Sequence, residues 1–213
     1  MIRKNTARDR RIRDGRWYCK NAYGALCNFI KEYKFGFVPK SAVNISASSA
    51  SPINEILGKT YQELQIVNTY RGEVDIKQMP YENNSTDVLI SEMVLEHVSQ
   101  VWEAPPEIYR ILRVGGITIQ LVPFMYPEHG KDYYRFTKDG LKDLFCEFEV
   151  LEVGCSGCQE IANFLLMYRS KHPKLKEFKE EALVSKQIIS EVGLGSFENL
   201  CSNCVWGIFR KRI

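Results

Sequence analysis

The run Asp87-Val88-Leu89-Ile90-Ser91 constrains the fold more than any other part of this chain. It is apolar at successive positions, so neither face of an extended strand here tolerates water. Such a strand belongs inside a parallel sheet covered on both sides. Parallel neighbours need crossover connections, and helical patterns stand between the strand candidates at suitable intervals. Those candidates are 42–47, 64–68, 117–122, 149–153 and 205–209, with a short one at 74–76. Seven residues separate Asn68 from Asp75, too few for a crossover helix. The strand at 74–76 is therefore expected to be short, loop-joined or missing from the sheet.

Helical spacing runs through 17–35, where Trp17, Leu26, Phe29, Ile30 and Tyr33 recur on one face. Ser51 followed by Pro52 marks a helix start, with Ile53, Ile56 and Leu57 as the buried face and Gly58 as the stop. A helical stretch from Glu96 is interrupted at Pro105-Pro106, resumes through Ile108, Ile111 and Leu112, and is expected to end at Gly115-Gly116. Thr137 caps a helix whose apolar face is Leu141, Leu144, Phe145 and Phe148. Residues 160–192 read as mostly helical, broken at Pro173. The expected architecture is α/β and Rossmann-like: a doubly wound, mostly parallel sheet with an antiparallel last strand. It forms a single domain over 1–213, with a basic arm at 1–16 and an N-terminal helix at about 17–35.

No apolar run approaches the roughly 20 residues of a membrane-spanning helix. Residues 1–16 lack the apolar centre of a secretory signal, so a cytoplasmic location is expected. The net charge of +3 is uneven. Residues 1–16 hold seven Arg/Lys against Asp9 and Asp14, leaving the remainder slightly acidic. Such an arm suits phosphates, yet a solvated chain end explains it more simply, and nucleic acid is not the expected partner. Cys19, Cys27 and Cys146 read as small buried hydrophobes. Cys155-x-x-Cys158 and Cys201-x-x-Cys204 have the internal spacing of a four-cysteine zinc site, and also that of ordinary strand residues; no metal is assigned.

Several blocks occur in order: Met79-Pro80-Tyr81 through Ser85-Thr86-Asp87, then Val94-Leu95-Glu96-His97-Val98. Glu107-Ile108-Tyr109-Arg110-Ile111-Leu112-Arg113-Val114-Gly115-Gly116 follows, then His129 and Asp132-Tyr133-Tyr134-Arg135-Phe136-Thr137. Over about 73–153 this set resembles class I S-adenosylmethionine-dependent methyltransferases of the type 11 kind, with Val114 where proline is usual. The resemblance implies a seven-stranded sheet with S-adenosylmethionine across the carboxyl ends of its first strands, in accord with the general rule for open α/β sheets. It implies methyl transfer to a small-molecule or sugar-linked acceptor.

Carried over residue by residue, the resemblance puts the first-strand cofactor motif at Asn44-Ile45-Ser46-Ala47-Ser48-Ser49, with asparagine for the acid and no glycine. Asn68 stands where an acid holds the ribose hydroxyls. Asp75 and Ile76 stand beside the adenine, though Asp75 also reads as a turn residue. Ser91 and Glu92 lie where cofactor and acceptor meet. The implied cofactor-binding set is Asn44, Ser46, Ser48, Asn68, Asp75, Ile76, Ser91 and Glu92. His129 is the candidate base, suited by its ordinary pKa to proton transfer near neutrality; an exposed loop histidine is the equal alternative. Asp132, Tyr133 and Arg135 orient it, bind substrate, or merely position the Thr137 cap. The worn cofactor motif leaves a second reading: a catalytically inactive domain that binds a nucleotide, sugar or protein partner.

Overall fold

The computed structural model describes residues 20–46, 51–70, 72–124, 128, 130–155 and 204–212. The arm 1–16, Trp17, Ser48, His129, Cys158, Cys201 and the stretch 160–192 lie outside them. The described elements are α1 (Lys20–Glu32), β1 (Ser41–Ser46), α2 (Pro52–Thr60), β2 (Gln65–Tyr70), β3 (Thr86–Glu92), α3 (Ala104–Ile111), β4 (Leu112–Pro123), α4 (Lys138–Leu144), β5 (Glu149–Cys155) and β6 (Cys204–Arg210).

These strands make one sheet in the order β2-β1-β3-β4-β6-β5. β2, β1, β3 and β4 run parallel, while β6 is antiparallel to both β4 and β5. All seven residues of β3 are buried, as its two-faced apolar run requires. Val88 and Ile90 pack with Leu26, Ile30, Ile53 and Leu57 of α1 and α2. Leu89 faces the other layer, with Ile108, Ile111, Leu141 and Phe145. The domain is therefore doubly wound.

Three expectations shift. Residues 71–85 add no strand among the described residues; 74–76 contributes only an isolated bridge between Asp75 and Gln78. The sheet thus has six described strands where the resemblance implied seven. Residues 71–85 carry only the connection from β2 to the parallel β3, and the interval from Asn68 to Asp75 leaves no room for a further crossover helix.

Gly58 does not stop α2, which continues to Thr60 because Tyr61 N–H still reaches the Leu57 carbonyl (2.9 Å). Ser51 caps the helix as expected, accepting from Ile53 N–H at 3.1 Å with Pro52 in the first turn.

Gly115-Gly116 does not end the preceding helix either. α3 stops at Ile111 and the glycines lie inside the long β4, where its register with β3 slips. Gly115 holds φ +78, and a Cβ on Gly116 would sit 2.9 Å from the Asp87 and Arg113 carbonyls. Both conditions favour glycine.

Charge-assisted bonds hold the amino end of the sheet. Asp87 Oδ2 accepts from Lys40 N–H (2.8 Å), Ser41 N–H (3.0 Å) and the Ser41 hydroxyl (3.2 Å), which ties the start of β1 to β3. Glu107 and Arg110, one turn apart on α3, form a fork: Oε2 takes Nε and Oε1 takes Nη2, each at 2.7 Å. Arg110 also donates to the carbonyls of Tyr81 (2.8 Å) and Met79 (3.1 Å), while Glu107 accepts Met79 N–H (2.6 Å). The loop entering β3 is thereby fastened to α3. The Arg110 hydrogen bond holds the Glu107 carboxyl below its ordinary value against the opposing effect of burial.

Lys211, 7% exposed, closes the same end. Its ammonium donates to Asn84 Oδ1 (2.7 Å), the Tyr109 carbonyl (2.7 Å) and the Leu112 carbonyl (2.8 Å). Burial pushes its pKa down.

Candidate ligand site at the carboxyl ends of the strands

At the opposite end, β1, β2 and β3 meet in a polar cluster. Asn44 pairs with Asn68 across β1 and β2, and Ser46 with Glu92 across β1 and β3. Parallel register points all four side chains to the face covered by α1 and α2. Asn44 is fully buried and Glu92 is 2% exposed, deep for a carboxylate.

The cluster is a chain of directed hydrogen bonds. Asn44 Nδ2 donates to Glu92 Oε1 (2.8 Å) and to Asn54 Oδ1 of α2 (2.9 Å). Asn54 Nδ2 donates in turn to Asn68 Oδ1. The Tyr23 hydroxyl of α1 donates to Glu92 Oε2 at 2.7 Å. A carboxylate only accepts, so the Asn44 amide must turn its nitrogen toward Glu92. That leaves Asn44 Oδ1 buried, with no hydrogen-bond partner among the described residues.

The arrangement explains the asparagine. An aspartate at 44 would set a second carboxylate against Glu92, and two such charges in a shielded place repel strongly. The amide turns that repulsion into attraction. It also leaves one buried acceptor suited to a donor such as a ligand ammonium or hydroxyl. Asn68, exposed on β2, keeps its amide N–H groups for a similar use.

Ser91 and Glu92, read together from the sequence, part company in the fold. Ser91 pairs with Gln120 of β4 and faces the α3–α4 layer. Both are fully buried, and Ser91 Oγ and Gln120 Oε1 lack hydrogen-bond partners among the described residues, while Gln120 Nε2 donates to Thr118 Oγ1 (2.6 Å). Asp75 is exposed and its Oδ1 accepts Lys77 N–H at 2.9 Å, closing a tight turn. Ile76 is 2% exposed and packs in the α3–α4 core.

A second polar group gathers beyond β3 and β4. Asp132, its side chain fully buried, binds Arg135 in a two-pronged pair, both bonds at 2.5 Å. This pairing raises the guanidinium pKa against the effect of burial. His97 Nδ1–H donates to the Lys131 carbonyl (2.5 Å), which fixes the tautomer, and Nε2 lies 3.6 Å from the buried Glu96 carboxylate. Tyr133 N–H reaches the Glu96 carbonyl at 2.7 Å, so the turn after β3 and the loop after β4 are tied together. The Thr137 hydroxyl accepts Gly140 N–H (3.0 Å) and caps α4.

Sequence reasoning missed Tyr23, Asn54 and Gln120. Gln120 was visible, with Thr118, as a polar residue inside an otherwise apolar strand segment. Tyr23 and Asn54 carried no comparable signal, since each looks like an ordinary helix residue until the chain folds. Cys155 and Cys204 come to the same sheet end, with Cys155 paired to Val205 in register. No group of three or more metal-binding side chains occurs among the described residues, and no helix there is long and apolar enough to cross a membrane.

Residues 42–120 match the model of the methyltransferase domain family. An uncharacterized methyltransferase of Mycolicibacterium vanbaalenii is 38% identical over 61 residues, and one of Mycobacteroides abscessus likewise 38% over 61. Each match covers 26% of this chain and 24% of the relative, so the chain spans about a quarter of the curated relatives it matches. Haemonchus contortus phosphoethanolamine N-methyltransferase 2, solved with phosphomonomethylethanolamine and S-adenosylhomocysteine, superposes with TM-score 0.57 at 16% identity. The superposition takes in 99% of this chain and 59% of that one. Loganic acid methyltransferase with S-adenosylhomocysteine gives TM-score 0.58 at 9% identity, covering 95% of this chain and 96% of the other. At such identities the likeness is one of fold. The fold is that of the class I methyltransferases, and the segment 42–120 is similar to their domain family.

Proposed function

We propose that the domain binds S-adenosylmethionine across the carboxyl ends of β1, β2 and β3 and transfers its methyl group to a small-molecule or sugar-linked acceptor. The observation that carries this reading is the Asn44–Glu92 pair. It offers a buried acceptor, Asn44 Oδ1, beside a buried carboxylate, where a cationic amino group would find both charge and hydrogen bonds. Asn68 and Asn54 would hold hydroxyl groups through their amides. When bound, the cofactor supplies a sulfonium methyl group open to in-line displacement, which asks the protein chiefly for positioning.

The acceptor would approach over the loops after β3 and β4, where Glu96, His97, Asp132 and Arg135 gather. His129, in that same stretch of sequence, remains the proposed base for a hydroxyl acceptor. The solved relatives named above act on, or are named for, small molecules bearing phosphate or carboxylate groups, which supports a small-molecule acceptor here.

A second reading has its own observation. The amides at 44, 54 and 68 already pair with one another in a chain, as they would in a domain that keeps the fold but only binds a partner. Calorimetric titration separates them. Saturable heat with S-adenosylmethionine and S-adenosylhomocysteine supports the enzyme reading, and transfer of a labelled methyl group to a panel of small and sugar-linked acceptors completes it. No heat at millimolar cofactor overturns the cofactor reading and leaves the binding-only domain.

A further inference from the structure

We infer that Tyr23 is a positioning residue for Glu92, through which helix α1 and the ligand site order one another. The inference rests on the proposed cofactor site and adds a residue and an element outside the matched segment 42–120.

Among the described residues Glu92 is the buried carboxylate at the carboxyl ends of β1, β2 and β3, and its two oxygens accept from donors in distant parts of the chain. Asn44 lies 48 residues away and Tyr23 lies 69 residues away. Two donors, one on each oxygen, fix the plane of the carboxylate and so the direction of the lone pairs left for a ligand. The Asn44 contact is set within the sheet by β-register. The Tyr23 contact is set by how α1 docks, because the phenol ring packs at the edge of the α1–α2 core.

That docking is narrow. Ala22, Leu26 and Ile30 form a single buried stripe, four residues apart, along a 13-residue helix. A helix of this length is marginal on its own, Gly24 weakens it further, and no acidic residue complements its first turn. Beside the long contacts of Cys27 Sγ to the Pro52 carbonyl (3.9 Å) and of the Tyr61 hydroxyl to the Ile30 carbonyl (3.4 Å), the 2.7 Å Tyr23–Glu92 bond ties α1 to a charged group. Anything that restrains Glu92 favours the docked helix, and by linkage the docked helix favours what restrains Glu92 to the same degree. A donor group of the ligand placed on Glu92 does so without displacing Tyr23, since each carboxylate oxygen accepts more than one hydrogen bond.

Tyr23→Phe tests this, since it removes the hydroxyl and keeps the ring. The probe is S-adenosylhomocysteine, with binding read by calorimetry and helix docking by amide hydrogen exchange over residues 22–32. In the natural protein, saturating probe is expected to slow exchange in this helix about fivefold or more. In Tyr23→Phe, binding should weaken roughly 10- to 100-fold, the range for losing a hydrogen bond to a charged group. The exchange response should vanish, with melting within a few degrees of the natural protein. Equal affinity in both proteins, or helix exchange indifferent to the probe, overturns the role of Tyr23 and leaves the cofactor reading standing. Failure of the natural protein itself to bind the probe overturns the cofactor reading, and the inference falls with it. A Tyr23→Phe protein that melts far lower, yet binds with undiminished affinity, marks the hydroxyl as structural only and equally overturns the inference.

Discussion

The two ends of the same sheet treat polar groups in opposite ways. At the amino end, Asp87, Glu107, Arg110 and Lys211 are full charges, each committed to several partners within the chain. At the carboxyl ends of β1, β2 and β3 amides and hydroxyls gather around one carboxylate, Glu92, and three buried neutral oxygens, on Asn44, Ser91 and Gln120, have no hydrogen-bond partner among the described residues. A buried acceptor without a donor costs about 1–3 kcal/mol. At the amino end Asp87 Oδ1 also makes no hydrogen bond among the described residues, but the Arg113 guanidinium lies 3.4 Å away, so its charge is answered within the chain while the carboxyl-end oxygens are not.

That contrast predicts that removing a contact at the amino end costs stability, that removing one at the carboxyl end costs mainly binding, and that adding a charge at the carboxyl end costs stability as well. The largest effect on stability is expected from Lys211→Ala. It leaves the Tyr109 and Leu112 carbonyls and Asn84 without their donor, and should lower unfolding free energy by about 3 kcal/mol, measured as a urea midpoint shift. A loss under about 1 kcal/mol would break the comparison at its firmest point.

Asn44→Asp should come next, at about 2 kcal/mol near pH 8. A carboxylate set against Glu92 raises the pKa of the pair above its unfolded value. The variant should therefore approach natural stability at low pH and lose it as pH rises through the raised pKa. A pH-independent deficit would show that the two carboxylates do not meet.

Glu107→Gln removes the charge but keeps the shape, and should cost about 1–2 kcal/mol at neutral pH. Because Arg110 depresses the Glu107 carboxyl, its contribution is complete above the ordinary carboxylate value of about 4.3 and fades as pH falls through the lower folded value. The natural protein should lose this increment in acid, and the variant should show a flatter acid limb in thermal melts.

The smallest stability effect belongs to Asn68→Ala, below about 0.5 kcal/mol for an exposed side chain. It should nonetheless weaken S-adenosylhomocysteine several-fold. Equal losses in stability and binding would erase the distinction between the two ends.

Much of the fold was legible because it rests on local rules. The two-faced apolar run became the central strand, Ser51-Pro52 and Thr137 became helix starts, and the short Asn68–Asp75 interval warned that a strand at 74–76 would be short, loop-joined or missing. Gly115-Gly116 misled because a glycine pair serves a strand irregularity as readily as a helix end.

The site was legible only in part. Asn44, Asn68 and Glu92 do share one face at the carboxyl ends of their strands. Ser91 does not join them, since neighbours along a strand point oppositely. Asp75 serves its own turn. The contacts that define the site, Tyr23 to Glu92 and Asn44 to Asn54, join separate elements through side chains with no pattern of their own, so only the packed chain reveals them.

That residues 71–85 add no described strand beside β2 has a consequence for how firmly a ligand would be gripped. Among the described residues β2 pairs with β1 alone, so one rim of its backbone has no neighbour in the sheet, while β1 is held on both sides. The two asparagines of the site therefore stand on unequal ground. Asn44 is anchored in the stiff interior, and Asn68 rides on a border strand whose fluctuations are restrained from one side only. A ligand reaching across both would find one end of its berth ready-made and would have to still the other, and that entropic toll falls on the part of the molecule lying over β2.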